Sequence, residues 1–409
     1  MDHASPKADN PAQTRPFRRQ VFYLPGYDPF HPRRYRELYR KEAKAQAAVS
    51  GYDIALRARK GDGPYGWHVT ARIDGAECVT DMQVLVWADI VKASMAHGVG
   101  ATYLQLLRTV WTYIATGALF RLMRLRKGPM IAALYPVAFL LGQLAIALVA
   151  GIGLAAELAH LIHSAAGWVV GPPLVWLILR VFRRWDHKVY AYYLMHDYAY
   201  SAQVRGATPP ELAARMRAFQ GQIATALGGS ADEVLVIGHS SGAHLGVSIL
   251  ADLIRQGLPA QGPELSFLTL GQVVPMVSFL PEARQLRGDL AFLSASQALT
   301  WIDISAPGDG CAFALCDPVS VSGVAPAGKR WPLVLSAAFT QTLSPERWKA
   351  LRWRFFRLHF QYLCAFDRPG DYDYFQITAG PQTLAQRYAG REPSKSRIET
   401  PLSGYTTTA

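Results

Sequence analysis

The sequence is poor in charged residues and in cysteines. Only 18% of its 409 residues are charged, against roughly 25% in an average soluble domain. The four cysteines, Cys78, Cys311, Cys316 and Cys364, form no CxxC pair, so their spacing does not suit a zinc site. Four scattered thiols in a long chain are typical of reduced residues, which predicts a cytosolic location for the polar parts of the protein.

The first residues also lack the features of a signal peptide. Residues 1–19 are polar, contain three prolines and have no apolar core. We therefore expect any membrane attachment to use an internal segment. We predict flexible tails at residues 1–19 and 381–409.

One long stretch is apolar enough to enter a bilayer. Residues 128–179 contain a single charged residue, Glu157, and a membrane-spanning helix needs about 20 apolar residues. We predict a two-helix hairpin, with spans near residues 129–156 and 161–179. The turn between them is predicted to hold three polar residues, namely Glu157, His160 and His163.

Basic residues flank this hairpin on both sides. They are Arg121, Arg124, Arg126 and Lys127 before it, and Arg180, Arg183, Arg184 and Lys188 after it. By the positive-inside rule both ends face the cytoplasm, and the net charge of +12 favours an anionic lipid surface over nucleic acid as partner. Two alternatives remain: a buried helical pair, or a re-entrant hairpin broken at Pro172 and Pro173. Residues 101–120 fit an interfacial helix and an ordinary core helix equally well.

On either side of this insertion, at residues 101–188, strand-like and helix-like runs alternate. The first part, residues 20–100, contains a strand near 20–28, a hairpin at 52–59 and 67–74, and a short apolar run at 82–91. The second part, residues 189–380, contains strand-like runs at 232–240, 265–271, 300–305 and 332–339. This alternation predicts an α/β fold with a mostly parallel sheet covered by helices on both faces.

The strongest local motif is Gly238-His239-Ser240-Ser241-Gly242. It follows the apolar strand VLVI and begins an amphipathic helix, which is the context of a nucleophile elbow. In such an elbow the serine lies at a strained strand-to-helix turn, and Gly238 and Gly242 leave room for the close backbone approach. The free N–H groups of the helix N-terminus stabilise developing negative charge.

In this motif and its context the sequence resembles the alpha/beta-hydrolase superfamily, and lipase-like members in particular. The resemblance covers about 300 residues loosely and implies a nucleophile, an acid and a histidine in that chain order. Ser240 is then the nucleophile. His359 is the remaining histidine after the elbow helix and is predicted to be the base, although about 20 residues separate it from the last strand-like run, where the family normally has a short loop. The alternative is a histidine on a helix face among aromatic residues.

The same resemblance places the acid in a loop after a strand. Asp309 follows the run at 300–305 and is the preferred acid, with Asp317 next and Asp303 inside the strand itself. The two oxyanion donors are expected to be the N–H of Ser241 and the N–H of Tyr27, in a loop after the first strand.

These residues predict a membrane-anchored serine hydrolase that cleaves a lipid or acyl ester without a metal or an organic cofactor. Its catalytic domain would lie on the cytoplasmic side of the membrane. The alternative is a catalytically silent membrane scaffold that keeps the fold and binds a partner.

Overall fold

Eight strands form one sheet within residues 15–61, 63–95 and 98–409, the part of the chain that the computed structural model describes. The spatial order is β2-β3-β4-β1-β5-β6-β7-β8. The six strands β4, β1, β5, β6, β7 and β8 are parallel to one another, whereas β3 is antiparallel to both of its neighbours, β2 and β4. The strands are β1 Phe17–Leu24, β2 Asp53–Ala58, β3 Gly66–Ile73, β4 Ala76–Val84, β5 Glu233–His239, β6 Glu264–Leu270, β7 Thr300–Ser305 and β8 Leu333–Ser336. The predicted α/β class with a mostly parallel sheet is confirmed.

Helices connect and cover these strands. In the first part and the insertion they are α1 Arg33–Ser50, α2 Ala88–Met95, α3 Val99–Ala115, α4 Ala118–Leu125, α5 Lys127–Leu161 and α6 Ser164–Arg184, and α7 Ala191–Ala202 follows the insertion. In the second part they are α8 Pro210–Leu227, α9 Gly242–Arg255, α10 Val274–Ser278, α11 Arg284–Ala295, α12 Pro318–Val321, α13 Phe339–Thr342, α14 Pro345–Leu351, α15 Phe355–His359, α16 Tyr374–Ala379 and α17 Leu384–Arg387. Short 3₁₀ turns lie at Asp186–Lys188 and Gln361–Leu363.

The central strands are buried on both faces, which explains their nearly continuous apolar runs. Alternate residues of β1 point to opposite faces: Val21 and Tyr23 pack with α1 and α16, whereas Phe22 and Leu24 pack with α8, α9 and α11. The sheet therefore separates two apolar cores.

The predicted hairpin is present as α5 and α6, two helices long and apolar enough to cross a membrane. Their mean hydropathies are 2.3 and 1.6, and only 22% and 17% of their most apolar windows are buried. The helices pack closely at small residues, because a methyl group added at Gly151 would lie 2.4 Å from Val175 Cγ2.

The predicted bounds of the hairpin need correction. Glu157 and His160 lie within α5 rather than in a turn, and the turn is confined to Ile162 and His163. His163 caps α6 by accepting a hydrogen bond from the Ala165 N–H. Pro172 and Pro173 lie inside α6 and do not break it.

Residues 101–120 form most of α3 and the start of α4, with one buried and one exposed apolar face. Leu106 and Tyr113 are buried, whereas Leu107 and Trp111 are 64% and 72% exposed. One apolar face of this segment therefore lies outside the core, which differs from a fully buried core helix.

The chain ends also differ from the expected tails. Residues 1–14 lie outside the described residues, and β1 begins at Phe17, within the predicted N-terminal tail. Residues 381–409 contain α17 and pack on the domain, since Arg287 donates to the Thr407 carbonyl and the Leu402 N–H donates to the Val321 carbonyl. The C-terminal segment is thus part of the folded domain.

Candidate functional site

Ser240 lies at the turn between β5 and α9, in the left-handed backbone region with φ = 56°. A non-glycine residue rarely adopts this conformation unless its surroundings impose it. A methyl group added at Gly242 would lie 2.1 Å from the Leu24 carbonyl oxygen, and one at Gly238 would lie 2.7 Å from the Ala243 Cα. Both elbow glycines are therefore required by the close passage of neighbouring backbone.

The loop after β1 lies directly against Ser240. A methyl group added at Gly26 would be 2.9 Å from Ser240 Cβ and 3.3 Å from its Oγ. The Tyr27 carbonyl is held from the other side because the Tyr193 hydroxyl, on α7, donates a hydrogen bond to it. This loop is thus fixed at the serine by α7, the first helix after the insertion, as well as by the sheet.

Two buried amides are free to donate at this point. Tyr27 and Ser241 are 4% and 7% exposed, and neither backbone N–H has an acceptor among the described residues. Buried N–H groups without a partner are rare. Ser241 directly follows Ser240, and Tyr27 directly follows Gly26, which packs against Ser240, so these two amides are candidates for holding an oxyanion.

A buried carboxylate and a buried imidazole, those of Asp309 and His359, lie in contact with each other. His359 Nδ1 is 2.7 Å from Asp309 Oδ2, and the Tyr362 hydroxyl donates to the same oxygen at 3.1 Å. The Cys311 N–H donates to Asp309 Oδ1 at 2.9 Å. These contacts to both oxygens hold the carboxylate in one orientation. Because His359 uses Nδ1 to contact Asp309, its Nε2 is the ring nitrogen that remains for another partner.

The chain reaches His359 through two helices instead of a short loop. Ser344 caps α14 by accepting from the Arg347 N–H, as the Ser-Pro pair predicts. That helix ends at Leu351, and the separate short helix α15 carries His359 at its last position with 6% exposure. The histidine is aimed inward, so it is not a solvent-facing residue of a helix surface.

The other two aspartates have structural environments. Asp303 is fully buried in β7 and accepts from the Thr269 hydroxyl at 2.6 Å, and burial raises its pKa to about 7. Asp317 caps α12 through the Val319 and Ser320 N–H groups and pairs with Lys329. Of the three candidates, Asp309 is the one that contacts His359.

The backbone of Ser240 and the Asp309–His359 pair both contact the end of β6. The Ser240 N–H donates to the Leu270 carbonyl at 2.9 Å. At the next residue, a methyl group added to Gly271 would lie 3.1 Å from His359 Cε1 and 3.3 Å from Asp309 Oδ2. Within the described ranges the Ser240 hydroxyl makes no hydrogen bond, so its link to His359 is not closed in this structure. Catalytic hydrogen bonds often tighten only when substrate is bound.

His239, the second letter of the elbow motif, has a role that the sequence did not predict. Its Nε2 donates to the His359 carbonyl at 3.1 Å, its Nδ1 accepts from the Tyr23 hydroxyl, and its ring lies 4.9 Å from the His359 ring. Burial, and secondarily the nearby His359, keep the pKa of His239 well below its usual value. A neutral His239 therefore supports His359 without adding a charge beside it.

Asp197 on α7 is a second acidic group near His359 that the sequence analysis missed. Burial raises its pKa to about 7, and the positive charge of His359 opposes that rise. The signal in the sequence is a lone carboxylate in the aromatic run AYYLMHDYAY. A buried carboxyl group with a raised pKa therefore lies close to His359.

Three potential metal ligands also come together here. A carboxylate oxygen of Asp309, the Cys311 sulfur and a ring nitrogen of His359 lie within 4.8 Å of one another. A thiol ligates as the thiolate, but burial, followed by the neighbouring Asp309, raises the pKa of Cys311 well above its usual range. The Asp309–His359 hydrogen bond already uses two of the three groups, which favours a hydrogen-bonded pair over a metal centre.

An apolar cavity of about 50 Å³ lies between the base of the hairpin and α7. It is lined by Thr109, Val110, Tyr113, Leu119, Met130, Ala133, Leu134, Val137, Met195, Tyr198 and Met276. Tyr198 directly follows Asp197, and Met276 lies on α10, which comes soon after Gly271. The cavity is thus lined by residues of the hairpin and by residues close in sequence to Asp197 and Gly271.

Comparison with known proteins found no match: no family model matches the chain, and neither does any curated protein or solved structure at a significant level.

Proposed function

We propose that this protein is a membrane-anchored serine hydrolase that cleaves a lipid or acyl ester. The observation that carries the proposal is the 2.7 Å contact between buried Asp309 and His359, at the same sheet edge as the left-handed Ser240. A Ser-His-Asp triad also needs a hydroxyl near the base, and the proposal is supported by the bond from the Ser240 N–H to the Leu270 carbonyl, one residue before Gly271, which packs against His359.

In the proposed reaction Ser240 Oγ attacks the ester carbonyl carbon while its proton passes to His359 Nε2. Asp309 holds Nδ1–H and stabilises the imidazolium that forms. The amides of Tyr27 and Ser241 bind the oxyanion. The alcohol leaves with the proton from His359, and water, deprotonated by the same imidazole, then releases the acid and regenerates Ser240.

The hairpin supports the choice of an ester from a membrane. Helices α5 and α6 leave most of their apolar surface exposed, which is costly in water and favourable in lipid. Basic residues at both ends place the catalytic domain on the cytoplasmic side in this proposal. The apolar cavity at the hairpin base offers space to the end of an acyl chain.

A fluorophosphonate probe tests the proposal on the full-length protein in detergent or nanodiscs. We expect covalent labelling that is lost in Ser240→Ala and retained in Ser241→Ala. The second variant is a matched control, because alanine keeps the backbone N–H that the mechanism uses. Labelling of Ser240→Ala, or none of the wild type, would refute a Ser240 nucleophile.

A catalytically silent membrane scaffold is the second candidate, and one observation favours it. The Ser240 hydroxyl has no hydrogen bond to His359 within the described chain. A folded wild-type protein that neither reacts with the probe nor hydrolyses short-chain esters would support this alternative.

A further inference from the structure

A basic and aromatic patch lies where α14 ends and α15 begins. Trp353 is 72% exposed and Phe355 is 46% exposed. Four exposed cations surround them, namely Lys349, Arg352, Arg354 and Arg357. Large apolar side chains exposed next to clustered positive charge are uncommon on a surface that contacts only water. We call residues 349–357 the rim patch.

The cations of the rim patch are not neutralised by the protein. The ion pairs of this region in the described residues belong to Arg347, which contacts Asp367 and Glu42. Lys349, Arg352, Arg354 and Arg357 have no carboxylate within ion-pair distance there. Arg352 instead lies over the Trp353 ring, 5.6 Å from its centroid. The patch therefore presents an uncompensated positive surface.

The rim patch adjoins both ends of the hairpin. A methyl group added at Gly310 would lie 3.2 Å from Phe355, and one added at Gly128, at the start of α5, would lie 3.5 Å from the Gly310 Cα. On the other side, the ring of Phe356 is 5.2 Å from that of Tyr190, which follows α6. The patch is thus continuous with the points at which the chain enters and leaves the hairpin.

The end of α6 carries the same combination of residues. Trp185 is 55% exposed, and Lys188 lies 5.0 Å from its ring centroid. Aromatic rings and cations are enriched where membrane proteins meet the headgroup region. The position of Trp185 on the hairpin therefore indicates where the headgroup region would lie. The rim patch contacts the same end of the hairpin.

We propose that the rim patch is a second membrane contact, which binds an anionic lipid surface with its cations and inserts Trp353 and Phe355 at the headgroup level. Helix α15 begins in the patch and ends at His359. This contact therefore holds His359, the proposed general base, close to the bilayer. The proposal rests on the membrane placement of the hairpin and not on catalysis by Ser240.

Photo-crosslinking in nanodiscs tests it. A benzophenone amino acid is placed at position 353, at position 149 on the exposed surface of α5, or at position 292 on α11. The native Phe292 is a matched control, because it is 37% exposed and has Arg255 over its ring. It lies near the end of α11 that leads to the start of β7, so it is at the amino ends of the parallel strands, whereas the site is at their carboxyl ends. We expect phospholipid adducts at 353 and 149 and none above background at 292.

Lipid charge and protein charge provide the second comparison. Adducts at 353 are expected to increase about fivefold when phosphatidylglycerol is added to phosphatidylcholine nanodiscs. That increase should vanish in the triple variant Arg352→Glu, Arg354→Glu, Arg357→Glu and persist in Arg217→Glu, which changes an exposed arginine on α8. Adducts at 149 without adducts at 353, or adducts at 353 that do not depend on lipid charge, would overturn the rim-patch proposal. Neither result would contradict the membrane placement of the hairpin. Absence of lipid adducts at 149 would overturn the membrane placement and this proposal together.

Discussion

Replacement of Asp309 by asparagine tests the proposed mechanism at its best-defined contact. Oδ1 of Asp309 accepts from the Cys311 N–H, and Oδ2 accepts from His359 and Tyr362. In Asp309→Asn, the amide oxygen keeps the Cys311 contact and the NH₂ group then faces His359 Nδ1. A donor at that position forces Nδ1 to accept, which moves the imidazole proton to Nε2.

With Nε2 protonated, His359 is unable to take the proton of Ser240. Substitutions of this kind in serine hydrolase triads lower kcat by about 10⁴, which corresponds to about 5.5 kcal/mol of transition-state stabilisation. Because the amide is nearly isosteric with the carboxylate and Asp309 is 2% exposed, we expect the fold and the KM to change little.

The assay is steady-state hydrolysis of a short-chain nitrophenyl ester by full-length protein. Asp317→Asn is the control, since Asp317 is equally buried but caps α12 and pairs with Lys329. It is expected to lower thermal stability and to leave kcat within a few fold of wild type. If Asp309→Asn retained more than about a tenth of the wild-type kcat, the proposed role of this carboxylate would be refuted.

Three further predictions follow from single contacts. Gly26→Ala would bring a methyl group to 2.9 Å from Ser240 Cβ, so we expect kcat to fall by about 100-fold or more, whereas Gly63→Ala, with open space around it, should behave as wild type in the same assay. Asp303 keeps its proton in the folded protein up to a pKa of about 7, while the unfolded state loses it near pH 4. Stability should therefore fall as pH rises between these values, by at most ~4 kcal/mol, and the dependence should flatten in Asp303→Asn when chemical denaturation is followed from pH 4 to 8. Tyr362→Phe removes a donor to Asp309 and an acceptor for the Ala306 N–H, and denaturant titration should show a loss of about 1–2 kcal/mol.

The sequence predicted the features that depend on local pattern. The apolar stretch at 128–179, the strand before Ser240 and the helix after it follow from hydropathy and from the glycines that the turn requires. The bounds of the hairpin helices were predicted less accurately. Glu157 and His160 were expected in a turn, but they are surrounded by alanine and leucine, which are strong helix formers, so α5 continues through them.

The arrangement around His359 depends on packing and was only partly predictable. Ser344 and Pro345 correctly predicted the start of α14, but neither glycine nor proline marks its end at Leu351. The stacking of His239 on His359 joins residues 120 positions apart. Nothing in the pattern of either segment indicates that contact, because it depends on how α15 packs against the end of β5.

The position of the insertion has a consequence for how the protein is made. Strands β1 and β5 are neighbours at the centre of the sheet, yet Arg19 and Glu233, which pair there, are 214 residues apart with the hairpin between them. A ribosome must therefore finish and release the apolar helices before the two halves of the sheet can join. In the proposed membrane protein, insertion of the hairpin precedes assembly of the domain, and β1 waits with an unpaired edge until β5 emerges. Delayed insertion would then lead to aggregation of the whole chain and not to a soluble, active fragment.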